Sequence, residues 1–211
     1  MNTIFNNTNT VDSLPRHDYV DLGLPSGTLW ATENIKDAEG NDLYFAWGET
    51  RGYAYKQIGD EEGKKSFAWE DYKFDPANAL KKYNGTDGLV VLEPEDDTAM
   101  VNWGKEWRMP TNEQFKELKA NTIFKWTEIG GVMGAKFTSI VEGHEDDFVF
   151  FPVVGYASFG EVRIEGCSIY WSASLDETDI SRAGELFIYN GAFGVRAGNR
   201  YRGCYVRPVH V

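Results

Sequence analysis

Cysteine is scarce. Cys167 and Cys204 are the only two in 211 residues, too few for a disulfide framework. Histidine is nearly as scarce, and His17, His144 and His210 lie far apart with no metal-ligand spacing. Catalysis by a nucleophile and base has little to draw on, because no GxSxG, CxxC or P-loop pattern occurs. Cys204 lies near Arg202 and Arg207, a setting that lowers a thiol pKa, but it has no paired base. Positive charge is also short: 21 Lys and Arg stand against 33 Asp and Glu, for a net charge of −12. Nucleic-acid binders need a basic footprint, so no nucleic-acid partner is expected. No apolar run reaches about 18 residues, so membrane insertion is not expected either. The opening MNTIFNNTNTVDSLPRHD has neither a basic n-region nor an apolar h-region, and no signal peptide is expected.

What is present is a globular composition, 42% hydrophobic and 26% charged. Aromatics reach 15%, which suits a loop-heavy core or a recognition surface. Residues 1–18 are Asn/Thr-rich without periodicity and read as a tail or arm. Residues 19–211 read as one domain.

Tyr19–Ile35 reads as strand, Pro/Gly turn, strand, and Leu43–Trp47 as a short apolar strand. Residues 48–74 have no period and read as a long loop. In DPANALKKYNG, Asp75 can cap a helix, Pro76 suits its first position and Gly85 lies past its end. EPEDDTAMVNWG reads as a second helix, with acids crowding its start and Gly104 placed to stop it. Thr111 and Gln114 form a capping box for a third helix, on which Phe115 and Leu118 share a face. After Asn121 only strands are predicted. Asn190-Gly191 between alternating segments signals a two-residue hairpin flanked by Tyr189 and Ala192. Trp30, Trp47, Trp103, Trp107 and Trp171 are predicted core residues. Helices early and strands late predict an α+β class.

Glu93, Glu95, Asp96 and Asp97 could bind a hard cation. Their place at a helix start makes a structural role the better reading, with Arg108 as a possible partner of Asp97, and no metal site or cofactor is expected.

Charge is unevenly placed. Residues 1–185 hold 17 basic and 33 acidic residues, whereas 186–211 hold four Arg and no Asp, Glu or Lys. Buried C-terminal strands would account for this, and so would a recognition surface.

Several stretches together resemble a known family: VDLGLPSGTLWATENI (20–35), YFAWGET (44–50), LEPEDDTAMVNWGKEWRMPTNEQFKEL (92–118), FFPVVGY (150–156), IYWSAS (169–174) and RYRGCYVRPV (200–209). The chain is similar to bacterial and phage proteins of Bacteroides-type hosts with a C-type-lectin-like fold, in the formylglycine-generating-enzyme-like and major-paralogous-domain branch. The resemblance implies an α+β domain with two or three short helices packed on small twisted antiparallel sheets. It also implies a ligand face built from C-terminal strands and loops. The cysteines match no active-site motif of the enzyme branch, and Glu93-Pro94-Glu95 only superficially echoes a calcium-dependent sugar motif, so neither activity carries over.

Some members of this family are variable proteins of diversity-generating retroelements. Randomising both adenines of AAY codons cannot produce Lys, Glu, Gln, Met or Trp, and residues 186–206 contain none of these. The family register places a variable region within 167–206, with exchanged positions at Arg182, Gly184, Phe187, Tyr189, Asn190, Gly191, Ala192, Gly194, Arg196, Ala197, Gly198, Cys204 and Tyr205. Arg202 stands where the family usually has Asn and joins the ligand-binding set. Leu186, Ile188, Phe193 and Val195 would be fixed and inward. Alternation independently sets Leu186 and Ile188 against Phe187 and Tyr189. On this reading Phe187, Tyr189, Arg196, Arg202 and Tyr205 share one exposed face. Glu185 departs from the pattern, because its codon cannot arise by this route.

The function so implied is recognition of a protein or glycan on a cell surface by a virion-associated or cell-surface protein without enzymatic activity. The alternatives are a structural module of a larger assembly, which predicts buried Phe187, Tyr189 and Tyr205, and an enzyme of the formylglycine-generating-like branch.

Overall fold

The computed structural model describes residues 17–74, 80–164 and 166–211. Two short strands, β1 (Tyr19–Asp21) and β2 (Leu29–Ala31), pair across the Pro/Gly turn. The segment 43–47 forms isolated bridges instead of a ladder, Tyr44 with Tyr53 and Phe45 with Cys204. The loop that follows contains two single 3-10 turns, at Tyr55–Gln57 and Trp69–Asp71. Of the helix predicted from Asp75, residues 75–79 lie outside the described residues, and Leu80–Gly85 is not helical. The tail predicted over 1–18 lies outside them too, except for His17 and Asp18.

The helix α1 (Thr98–Trp103) is capped by Asp97 and stopped at Gly104. A short strand β3 (Trp107–Arg108) precedes α2 (Asn112–Ala120), where Thr111 and Gln114 form the reciprocal capping box. The strands β4 (Thr122–Ile129), β5 (Val132–Ser139), β6 (Phe148–Pro152), β7 (Tyr156–Ser158), β8 (Glu161–Arg163), β9 (Cys167–Leu175), β10 (Arg182–Tyr189), β11 (Ala192–Asn199) and β12 (Val209–His210) complete the chain.

These strands form four small sheets, ordered β1-β2-β12-β3, β11-β10-β9, β4-β5-β6 and β7-β8. Every pairing between these strands is antiparallel. The α+β expectation is therefore corrected: the described residues are mostly β, with 39% in strands and 11% helical. The α-helices among the described residues are short, six and nine residues, and cannot form a layer of their own.

An aromatic layer joins two of the sheets. Phe193 lies 4.6 Å from Phe124 and 4.9 Å from Phe137, while Phe151 meets Tyr170 at 4.9 Å. From α2, Phe115 reaches Trp30 at 5.5 Å. All five predicted core tryptophans are buried. Trp47 and Trp171 donate their indole N–H to the carbonyls of Ser172 and Phe45, so each polar tip is satisfied inside.

Candidate functional site

The C-terminal hairpin is built locally. Asn190 and Gly191 both take positive φ, 43° and 82°, as a type I′ turn requires. Tyr189 pairs with Ala192, Phe187 with Gly194 and Glu185 with Arg196. Leu186 and Ile188 turn toward the aromatic layer and are buried. Phe193 and Val195 lie on that side as well but are half-buried, because β11 is the edge strand of its sheet.

On the other side a ladder runs along the hairpin. The rings of Tyr189 and Phe187 stack at 5.9 Å with an interplanar angle of 15°. The Arg196 guanidinium carbon lies 3.6 Å from the Phe187 centroid. Arg196 Nε donates to Glu185 Oε1 at 2.7 Å. Tyr189 is 46% exposed, and the Arg196 side chain is similarly open. Asn190, Gly191 and Ala192 are exposed at the tip.

Other residues expected on this face are elsewhere. Cys204 and Tyr205 are buried, and the reason is chain pairing. Residues 203–205 run beyond the free edge of β9: Tyr205 N donates to Ile169 O, and Cys204 exchanges both backbone bonds with Phe45. Tyr205, 2% exposed, sends its hydroxyl to Val154 O beside a cavity of about 430 Å³ that Asp42, Tyr44 and Tyr55 also line. Burial pushes the Cys204 thiol well above its ordinary pKa, the opposite of what its arginine neighbours imply in sequence.

Gly184 and Gly198 are buried as well, and a side chain at either position would have to displace a neighbouring side chain. A Cβ on Gly184 would lie 1.9 Å from Asn112 Oδ1, and one on Gly198 the same distance from Glu185 Oε2. Gly194 is different: a Cβ there would meet nothing within 4 Å. Phe187, Arg182, Ala197 and Arg202 are half-buried. Arg182 donates to the carbonyl of Ala197, and Arg202 lies over the Tyr156 ring at 5.7 Å.

Two arginines of the basic C-terminus are structural. Arg207 is buried and donates to Asn34 Oδ1 and Ala31 O. Arg200 is buried among Trp47, Tyr72, Phe74 and Tyr83. Their burial accounts for part of the charge asymmetry.

Sequence reasoning missed Glu185 as part of the site. It is 0% exposed, and its Oε2 is buried without a hydrogen-bond partner. Burial raises its carboxyl pKa, against the lowering pull of Arg196, Arg202 and Arg182. The available signal was its isolation as the last acid in the chain.

The acidic cluster is held by the protein itself. Lys82 Nζ lies 2.5 Å from Glu93, 3.1 Å from Glu95 and 2.6 Å from Asp96, where a cation would otherwise sit. Asp97 forms no salt bridge with Arg108, whose charge acts on it from further off. It accepts from the backbone of Ala99, Met100 and Met109, capping α1 and tying it to β3.

No family model matches the chain, and no curated protein or solved structure matches it either.

Proposed function

We propose that this protein is a recognition protein that binds a protein or glycan on a cell surface through the β10–β11 hairpin. The face consists of Tyr189, Asn190, Gly191, Ala192 and Arg196, with Phe187, Gly194, Arg182, Ala197 and Arg202 beside them. The observation that carries this reading is the two-sidedness of the hairpin: Leu186 and Ile188 anchor it inside while Tyr189 and Arg196 stand open. Rigid aromatics and planar guanidinium groups give contact area at low entropic cost. A pinned hairpin can vary its outward residues without disturbing the core.

Diversification of the exposed hairpin positions by a retroelement fits this geometry and the composition of 186–206. The open space at Gly194 supports it. The adjacent genome provides the check: a near-identical copy of this stretch beside a reverse transcriptase, differing only at adenines. A virion or cell-surface location follows from such a role. Burial of both cysteines favours binding over thiol chemistry. The structural-module alternative draws support from the burial of Tyr205 but conflicts with the exposure of Tyr189.

The binding test is a random peptide library panned on the immobilised protein. Enriched peptides should lose binding to a Tyr189→Ala/Arg196→Ala double variant and keep it on Tyr55→Ala. The reverse pattern would move the binding face to the long loop.

A further inference from the structure

Two different groups hold the exposed Arg196 from behind. Glu185 Oε1 accepts from its Nε, and the Phe187 ring lies under the guanidinium plane. Its two Nη groups donate to no protein atom among the described residues. The guanidinium therefore presents its outer edge in one orientation, with the conformational cost already met on folding.

The acid that holds it is costly to bury. Glu185 is wholly enclosed, and Oε2 has no donor. A buried carboxylate with an orphan oxygen is poor evidence for stability, since well-packed apolar side chains serve that purpose better. Arg202 Nε is likewise buried without a partner. The charges of Arg182, Arg196 and Arg202 all act on Glu185. Arg182 also acts on Asp179, so three guanidinium groups stand against two acids, a local positive excess on a protein whose net charge is −12.

We infer that Arg196 is a preorganised receptor for a carboxylate on an acidic peptide segment of the partner, and that Glu185 is its positioning residue. A carboxylate accepts two parallel N–H bonds from a guanidinium edge, a geometry an ammonium cannot reproduce. The adjoining Phe187–Tyr189 stack offers apolar area to the chain that carries the acid. This deepens the recognition reading and rests on it.

The experiment is an NMR titration of the whole protein with glutarate, which mimics a glutamate side chain, and with neutral glutaramide as control. The Arg196 side-chain and Phe187 ring signals should shift and saturate with glutarate and stay still with glutaramide. Glu185→Leu supplies the deciding sign. Above the pH at which Glu185 ionises, it removes a negative charge, so attraction to a diffuse basic patch would make glutarate bind more tightly. Loss of positioning should instead weaken binding by about fivefold, the equivalent of one lost hydrogen bond. Should that variant fail to fold, Arg196→Lys keeps the charge on an exposed side chain, removes the fork and should weaken glutarate similarly. Tighter binding by Glu185→Leu, undiminished binding by Arg196→Lys, or no saturable shift in the wild type would each overturn the inference. If glutarate fails while library peptides still depend on Tyr189, recognition by this face stands without the carboxylate. If those peptides ignore Tyr189 and Arg196, the recognition reading itself falls.

Discussion

Arg200 holds its guanidinium carbon 4.7 Å from the centroid of the Trp47 ring, deep inside the protein. Its hydrogen bonds go to Tyr72 Oη and to the carbonyls of Tyr83, Ile180 and Lys82. Four ring faces and three carbonyl dipoles stand in for the carboxylate that a buried cation usually requires. One side chain thus ties the long loop, the segment before β10 and the C-terminal strand region together.

Arg200→Lys should therefore cost about 3 kcal/mol or more, although the charge is kept. An ammonium cannot reach carbonyls spread around a planar fork, and each one left unpaired costs about 1–3 kcal/mol. The midpoint of urea denaturation measures the loss.

Tyr189→Ala and Tyr205→Ala should separate cleanly. The first removes an exposed ring and should shift stability by about 0.5 kcal/mol or less. The second empties a buried site and should cost about 3–5 kcal/mol. Equal effects on thermal unfolding would contradict the burial difference between the two.

Gly191→Val should destabilise the hairpin by about 1–2 kcal/mol, because a β-branched residue resists the positive φ that the turn demands. Gly194→Ala, with open space around it, should leave stability nearly unchanged. Hydrogen exchange at the Tyr189 and Ala192 amides would report the difference locally.

Asp96 makes a pH-dependent contribution. Burial raises its carboxyl pKa, but hydrogen bonds from Lys73, Lys82 and Tyr83 outweigh this and hold it below its ordinary value of 3.8. A pKa lowered by folding adds stability above the unfolded value and loses it as pH falls through the folded one. Asp96→Asn should cost about 1–3 kcal/mol at neutral pH, because the charge-assisted bonds from Lys73 and Lys82 are weakened while both ammonium groups keep water, and the gap to wild type should close in acid. Glu185 acts in the opposite sense. Burial raises its pKa, so its contribution is complete below 4.5 and is lost as pH rises through the folded value. Glu185→Gln should accordingly gain stability relative to wild type as pH increases.

Millimolar calcium should leave the melting temperature unchanged, because the Lys82 ammonium already occupies the space between Glu93, Glu95 and Asp96. A rise of several degrees would show that calcium displaces it.

Local rules made much of this protein legible in advance. The Thr111–Gln114 box, the stop at Gly104 and the Asn190-Gly191 turn depend on residues within a few positions of one another, and each stands where its chemistry placed it. Alternation sorted Leu186 and Ile188 from Tyr189 for the same reason: the pleat of a strand is a property of its own backbone. Tertiary pairing decided the rest. Tyr205 and Cys204 are buried because residues 203–205 line the edge of β9 and bridge to Phe45, contacts from far along the chain that no local pattern encodes. The mostly β class has a more local origin: three of the four sheets join strands adjacent in sequence, and only β12, set between β2 and β3, is brought in from far along the chain. Glu185 was visible only as an anomaly of composition. Its place beneath Arg196 became meaningful when two strands set the pair side by side, because an ion pair across a hairpin is fixed by register and by what covers it.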